Sequence, residues 1–346
     1  MDSLIALLNT TIMGHAAWLW LLFSGIVIAL LTFDLGVLNK TDHVIGLRES
    51  LLLSSSYIGV ALLFGALVWW QLGAHSATAY FTGFLIEKLL SIDNVYVIAL
   101  IFTYLAIPNQ YQHRVLFWGI AGALIMRALM IGIGATLVSQ FSWILYLFGA
   151  FLLFTGVKTW FSGKQTPDLA KNPLLAFLRK RLRTTGMVGN AFFVRQADPG
   201  TRLSARFVTP LFVALCLVEF VDIAFAVDSI PAIFAITTDP FIVYTSNIFA
   251  ILGLRSLYFV LGAMVERFKY LKYALALILV FIGSKVLLGG VIGKIPPTVS
   301  LSVTLGLIAG GVLVSIWKSR DEPRALGSSR HPANSRSRSV VSSSKT

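Results

Sequence analysis

The chain has 346 residues, of which 57% are apolar and only 12% charged, with a mean hydropathy of +0.82. Soluble domains carry about 25% charged residues, and a water-facing surface could not hide this much apolar side chain, so a soluble globule is excluded. The net charge of +13 sits in loops and tail rather than on one folded face, which fits orientation in a bilayer and excludes nucleic acid as a partner.

The N-terminus carries Asp2 and no Lys or Arg before its first apolar run, so it lacks the basic start of a cleaved signal, and the first span is expected to stay. A bilayer core about 30 Å thick needs roughly 20 apolar helical residues. Nine segments meet that criterion: about 18–38, 51–71, 78–103, 115–138, 142–161, 208–236, 241–264, 272–292 and 299–318. The expected fold is therefore all-α, a polytopic membrane protein. Basic loops (39–50, the turn holding Arg114, 162–207 and 265–271) alternate with loops almost free of Lys and Arg (72–77, 139–141 and 237–240). The positive-inside rule then puts the N-terminus outside and the C-terminus in the cytoplasm.

Segment 162–207 holds nine basic residues against two acids. Within it, NPLLAFLRKRLR (172–183) reads either as a short basic amphipathic helix at the lipid surface or as an orientation signal alone. The tail 321–346 is rich in Ser and Arg without periodicity and is expected to be disordered.

The third and sixth spans repeat one pattern. FTGFLIEKLLSIDNVYVIALIF (81–102) lies on CLVEFVDIAFAVDSIPAIFAIT (216–237), pairing Glu87 with Asp222, Asp93 with Asp228 and Asn94 with Ser229. The match continues through the following spans, pairing Arg127 with Arg255 and Lys158 with Lys285. A transmembrane domain over 1–320 would then hold repeat A at about 78–163, the basic loop, and repeat B at about 208–292. Three crossings per repeat is an odd number, so the copies have opposite topology, as in many secondary transporters whose site lies near the midplane between them.

An ionised group at the bilayer centre costs at least about 2.5–3.5 kcal/mol. Glu87, Asp93, Glu219, Asp222 and Asp228 all fall deep, with Asp34 near the inner end of the first span; Lys88, Arg127, Arg255 and Lys285 oppose them. Such burial must be offset by pairing, water, protonation or a bound cation. The arginines and lysines could simply neutralise acids, but the acids come as repeated clusters, and crowded carboxylates repel unless a cation or proton lies among them. An ion site or a proton relay follows.

Residues six apart on a helix lie about 120° apart, so Glu87 and Asp93 share no face unless the helix breaks, whereas Asn94 returns to the Glu87 face and Ser229 to that of Asp222. Pro231 makes local unwinding there an expectation. All five histidines lie outside the spans and Cys216 is the sole cysteine. Thiolate and imidazole metals are disfavoured, and oxygen ligands suit Mg²⁺, Ca²⁺ or Mn²⁺.

The segments LTFDLGVLNKTDHVIGLRESLLLSSSYIGVALLFG (31–65), GFLIEKLLSIDNVYV (83–97) and EFVDIAFAVDSIPAIFAIT (219–237) resemble the TerC family, and within it the Alx-like membrane proteins, over about residues 16–318. The resemblance implies Mn²⁺ export and manganese homeostasis, or in older readings tellurite resistance, redox modulation or an alkaline-pH response. It assigns Glu87, Asp93, Asp222 and Asp228 as the metal site. Asp34, Asn94, Glu219 and Ser229 become supporting groups, with Arg127, Arg255 and Lys285 balancing charge. The expectation is a non-enzymatic multi-pass carrier in the plasma (inner) membrane. It holds no permanent cofactor, and its partners are lipid, a hard divalent cation and protons. The alternatives are a membrane-bound redox modulator or a tellurite-resistance or metallation scaffold without transport of its own.

Overall fold

A computed structural model describes residues 10–33, 47–161, 173–197, 204–254, 257–258, 271–292 and 295–320. Its helices are α1 (Ala17–Phe33), α2 (Leu47–Tyr104), α3 (Asn109–Gln140), α4 (Ile144–Phe161), α5 (Pro173–Arg181), α6 (Pro210–Phe234), α7 (Pro240–Leu252), α8 (Leu271–Ile292) and α9 (Pro297–Arg320). Two small antiparallel hairpins are added to the expected all-α architecture: β1 (Thr11–Ile12) with β2 (His15–Ala16), and β3 (Phe193–Ala197) with β4 (Ser204–Val208). Strands this short give no usable alternation in sequence. The first turns at Met13 and Gly14, both with positive φ, as a two-residue hairpin loop requires.

Six helices among the described residues are long and apolar enough to cross a membrane. One of them, α2, has 58 residues, about 87 Å if straight and nearly three times the bilayer core. It is interrupted at Gly73, whose φ of 83° and ψ of 173° only glycine adopts readily. The Tyr80 hydroxyl donates to the Ala61 carbonyl at 3.0 Å across 19 residues, a separation of about 28 Å in continuous helix. The chain therefore folds back at Gly73, between the two spans expected at 51–71 and 78–103. The shorter α1 and α7 are also apolar; α7 is described only to Leu252, short of the expected 241–264 span, and the rest of that span is mostly outside the described residues.

Lipid-facing and bundle-facing sides separate by helical period. On α3, Ile125, Leu129, Ile133 and Leu137 are exposed, while Ala123, Arg127, Ile131, Gly134 and Val138 are buried. Exposed Trp70, Trp143, Trp160 and Trp317 lie near helix ends, where amphipathic rings favour the membrane interface. The N-terminal hairpin is fastened to α7: His15 Nε2 and Asp239 Oδ2 are 2.8 Å apart, and Asp239 caps α7 by accepting from the Phe241 and Ile242 amides.

Helices α4 and α8 meet backbone to backbone, as small residues permit in membranes. A Cβ on Gly283 would lie 2.6 Å from the Gly149 carbonyl and 2.7 Å from Leu153 N, and one on Gly156 would lie 2.9 Å from the Ala276 carbonyl. Gly283→Ala is therefore expected to destabilise the protein by about 1–3 kcal/mol. Gly289→Ala, where a Cβ meets nothing within 4 Å, is expected to be neutral or stabilising. Thermal unfolding of the two variants in one detergent checks the contrast.

Candidate functional site

The inner face of α3 is built for close approach. Gly119, Gly122 and Gly134 follow one another with Ala123 and Arg127 on the same side. A Cβ on Gly119 would meet Val218 at 3.1 Å and one on Gly134 would meet Phe234 at 2.7 Å, while the Glu219 carboxylate occupies the space where a Gly122 side chain would stand. This intimacy draws α6 onto α3 and delivers its acids to Arg127.

Arg127 has no exposed surface, and it is the junction of four helices. Its Nη1 donates to Glu87 Oε1 on α2, to Ser229 Oγ on α6 at 3.2 Å and to Asn247 Oδ1 on α7 at 3.0 Å. Its Nη2 and Nε grip the two oxygens of Asp222 on α6 at 3.0 and 3.3 Å, a bidentate fork. Asn247 Nδ2 donates to Glu87 Oε2 at 3.1 Å and closes the network. A guanidinium cannot shed its proton in a protein, so this fixed positive charge offsets the burial of two carboxylates. Glu219 lies one turn from Asp222 and within range of its charge. Two carboxylates thus share one guanidinium, with a third beside them.

The other expected residues lie elsewhere. Helix α2 runs unbroken past Glu87, so Glu87 and Asn94 are buried at 1% and 3% exposure, while Asp93 turns to an exposed position and feels the charge of Lys272. Asp228 is half-buried, with Lys158 as its charge neighbour. Of the four residues assigned to metal, the structure joins Glu87 with Asp222 through Arg127 and leaves Asp93 and Asp228 apart. Among the described residues, no three Asp, Glu, His or Cys side chains converge to hold a metal ion, because the arginine fills the space between the two central acids. Lys285 donates to Ser300 Oγ at 2.8 Å, joining α8 to α9 rather than pairing an acid. Lys88 reaches the Ala250 carbonyl at 3.2 Å, in the last turn of α7, where the helix dipole favours a cation. Asp34 and Arg255 are outside the described residues.

The expected unwinding at Pro231 is not found: α6 stays helical to Phe234. Pro231 stands in the last turn, so few helical bonds remain beyond it to be lost. Asn247 carries no charge and lies outside the paired motifs, so the sequence does not mark it; its signal is a lone amide in an apolar helix.

A cavity of about 30 Å³ opens beside this network, bounded among others by Asn94, Gly119, Ala123, Val221, Asp222 and Tyr258. It has room for a water-sized guest. The Asn94 Oδ1 is buried and without a hydrogen-bond partner, and the Asp222 side chain keeps 13% of its surface accessible.

The model of the integral membrane protein TerC family matches residues 72–323. An uncharacterized membrane protein of Rickettsia bellii is 48% identical over 298 residues, covering 86% of this chain and 96% of its own length. One from Myxococcus xanthus is 47% identical over 88% of this chain and 94% of its own. The Escherichia coli (strain K12) protein named "Putative membrane-bound redox modulator Alx" is 44% identical over 86% of this chain and 94% of its own. No solved structure matches.

Proposed function

The chain belongs to the integral membrane protein TerC family, and on that premise we propose that it is a secondary transporter exporting a hard divalent cation, Mn²⁺ foremost, in exchange for protons. The observation that carries this reading is the pairing of Glu87 and Asp222, one from each proposed repeat, on one buried guanidinium. Arg127 is then a resident cation that holds the two acids together until a transported ion displaces it. Asp222 is the first ligand to be released, since it borders the cavity and Asn94, and Glu219 adds the negative charge that a divalent ion needs. Asp93 and Asp228 serve as outer stations for metal or proton along the path.

The α4–α8 contact supports the inverted arrangement. The alignment that pairs Lys158 with Lys285 also pairs Gly156 with Gly283 and Gly149 with Ala276. The two close contacts, Gly149 with Gly283 and Gly156 with Ala276, exchange under it, as a two-fold axis in the membrane plane requires. Export of two charges against an inside-negative potential of 100 mV needs about 4.6 kcal/mol. With no phosphate-binding GxxxxGK[ST] loop in the sequence, a proton gradient is the proposed source, and the chain acts as a carrier without enzymatic chemistry or a permanent cofactor.

The relatives' redox name gives the second reading. It needs an electron carrier, and this chain offers one half-buried thiol, Cys216, too few for a dithiol couple. In cells loaded with Mn²⁺, the wild type is expected to lower total manganese, Cys216→Ser to match it, and Asp93→Asn to lose the effect. An Asp93→Asn variant as effective as wild type would favour the scaffold; a Cys216→Ser variant that no longer lowers manganese would favour redox chemistry.

A further inference from the structure

Helix α5 and the β3–β4 hairpin form a basic shelf at one end of the bundle. Leu175 and Leu178 bury the apolar side of α5 against the protein at 2% and 9% exposure, while Arg179, Lys180 and Arg181 point outward. The Arg179 guanidinium lies 5.7 Å from the Tyr104 ring, at the end of α2, and that of Arg114 lies 4.9 Å from the Phe192 ring, beside the start of α3. Thr209 fastens the hairpin to α6, its hydroxyl donating to the Ala191 carbonyl at 2.7 Å and its amide to the Phe192 carbonyl at 3.0 Å. The shelf is therefore fixed where spans leave the membrane.

The strand register puts Arg195 directly opposite Arg206, and both are exposed. Side chains so placed are about 5 Å apart at Cβ, and like charges there repel. Among the described residues, neither arginine has a carboxylate partner, nor do Arg179, Lys180 and Arg181. Phe193 shares the strand face of Arg195 and is 51% exposed, with its ring centroid 4.6 Å from that of Phe212 in the first turn of α6. That face thus adjoins the flank of a membrane span. Phe177 on α5 is likewise exposed, at 55%. Orienting a chain in the bilayer needs basic residues near the span, but it does not need two arginines forced side by side on a strand face that carries an exposed aromatic ring.

We propose that α5 and the β3–β4 hairpin are a docking surface for anionic phospholipid headgroups of the inner leaflet. The Arg195–Arg206 pair grips a lipid phosphate, which relieves their mutual repulsion. Arg179, Lys180 and Arg181 spread over neighbouring headgroups, and Phe177 and Phe193 enter the acyl boundary, as amphipathic elements do at this depth. The surface is independent of the ion site.

The test uses the full-length protein in a neutral detergent, with thermal unfolding followed during addition of phosphatidylglycerol or phosphatidylcholine. Phosphatidylglycerol is expected to raise the unfolding temperature saturably and phosphatidylcholine to leave it unchanged. In R195Q/R206Q the lipid-free unfolding temperature stays at or above that of wild type, because the repulsion is gone. The phosphatidylglycerol needed for half the shift then rises about 25-fold, at about fivefold per basic side chain. R195K/R206K stays within a few-fold of wild type. An equal phosphatidylglycerol response in R195Q/R206Q overturns the proposal, as does a shift that inorganic phosphate reproduces, which would make the surface a site for a soluble anion.

Discussion

Arg127→Gln is expected to lower stability by about 3–5 kcal/mol, because it strands two carboxylates in a buried site that no longer holds a compensating charge. The loss exceeds that of any single hydrogen bond, since Glu87, Asp222, Ser229 and Asn247 all lose their donor together. Arg127→Lys keeps the charge but not the fork; one ammonium cannot hold both Asp222 oxygens and also reach Glu87 and Asn247. The decisive comparison is the triple variant E87Q/R127Q/D222N, which removes the charges altogether. Neutral amides can hydrogen-bond one another, so it is expected to recover most of the stability lost by Arg127→Gln while transporting nothing. Denaturation in detergent, read beside ion flux, checks both halves. A triple variant as unstable as Arg127→Gln would show that packing, rather than charge, decides the site.

Asp222→Asn should separate transport from folding. Arg127 still has Glu87 as its counter-charge, so the cost is that of weakening a charged hydrogen-bonded pair, about 1.5–3 kcal/mol, and the protein remains folded. Efflux of Mn²⁺ is expected to fall by at least tenfold, because the carboxylate bordering the cavity is the one an entering ion meets. Glu87 is more deeply enclosed, at 1% exposure and with Asn247 as a second donor. Glu87→Gln should therefore cost more stability than Asp222→Asn. Unfolding curves and initial rates for both single variants give the ranking, and Asp222→Asn with wild-type flux would remove this residue from the ion path.

Much of this arrangement was legible in the residues, because it rests on helical period and on the price of buried charge. The 120° between Glu87 and Asp93 implies that they share no face of an unbroken helix, and the seven-residue step brings Asn94 inward with Glu87 and Ser229 to the same guanidinium as Asp222. Gly73 lies in the loop expected between two spans. What period could not supply was the partner of each charge. Arg127 meets Glu87 across 40 residues and Asp222 across 95, and the glycines that let α6 approach α3 carry no charge signal. The resemblance assigns four acids to one metal site, yet only Glu87 and Asp222 reach the arginine of α3. Within the basic segment 172–183, Pro173–Arg181 is helical, but Leu175 and Leu178 turn into the main core beside α6, a tertiary contact that the helical period alone does not supply.

The central claim is that buried carboxylates trade a resident guanidinium for a transported cation. Purified protein in liposomes, with a Mn²⁺-sensitive dye inside and an imposed pH gradient, measures it most directly. Wild type is expected to move Mn²⁺ faster when protons can flow the other way, and Asp222→Asn to move no more than empty liposomes. Mn²⁺ movement equal in Asp222→Asn and wild type, or absent from both, would contradict it.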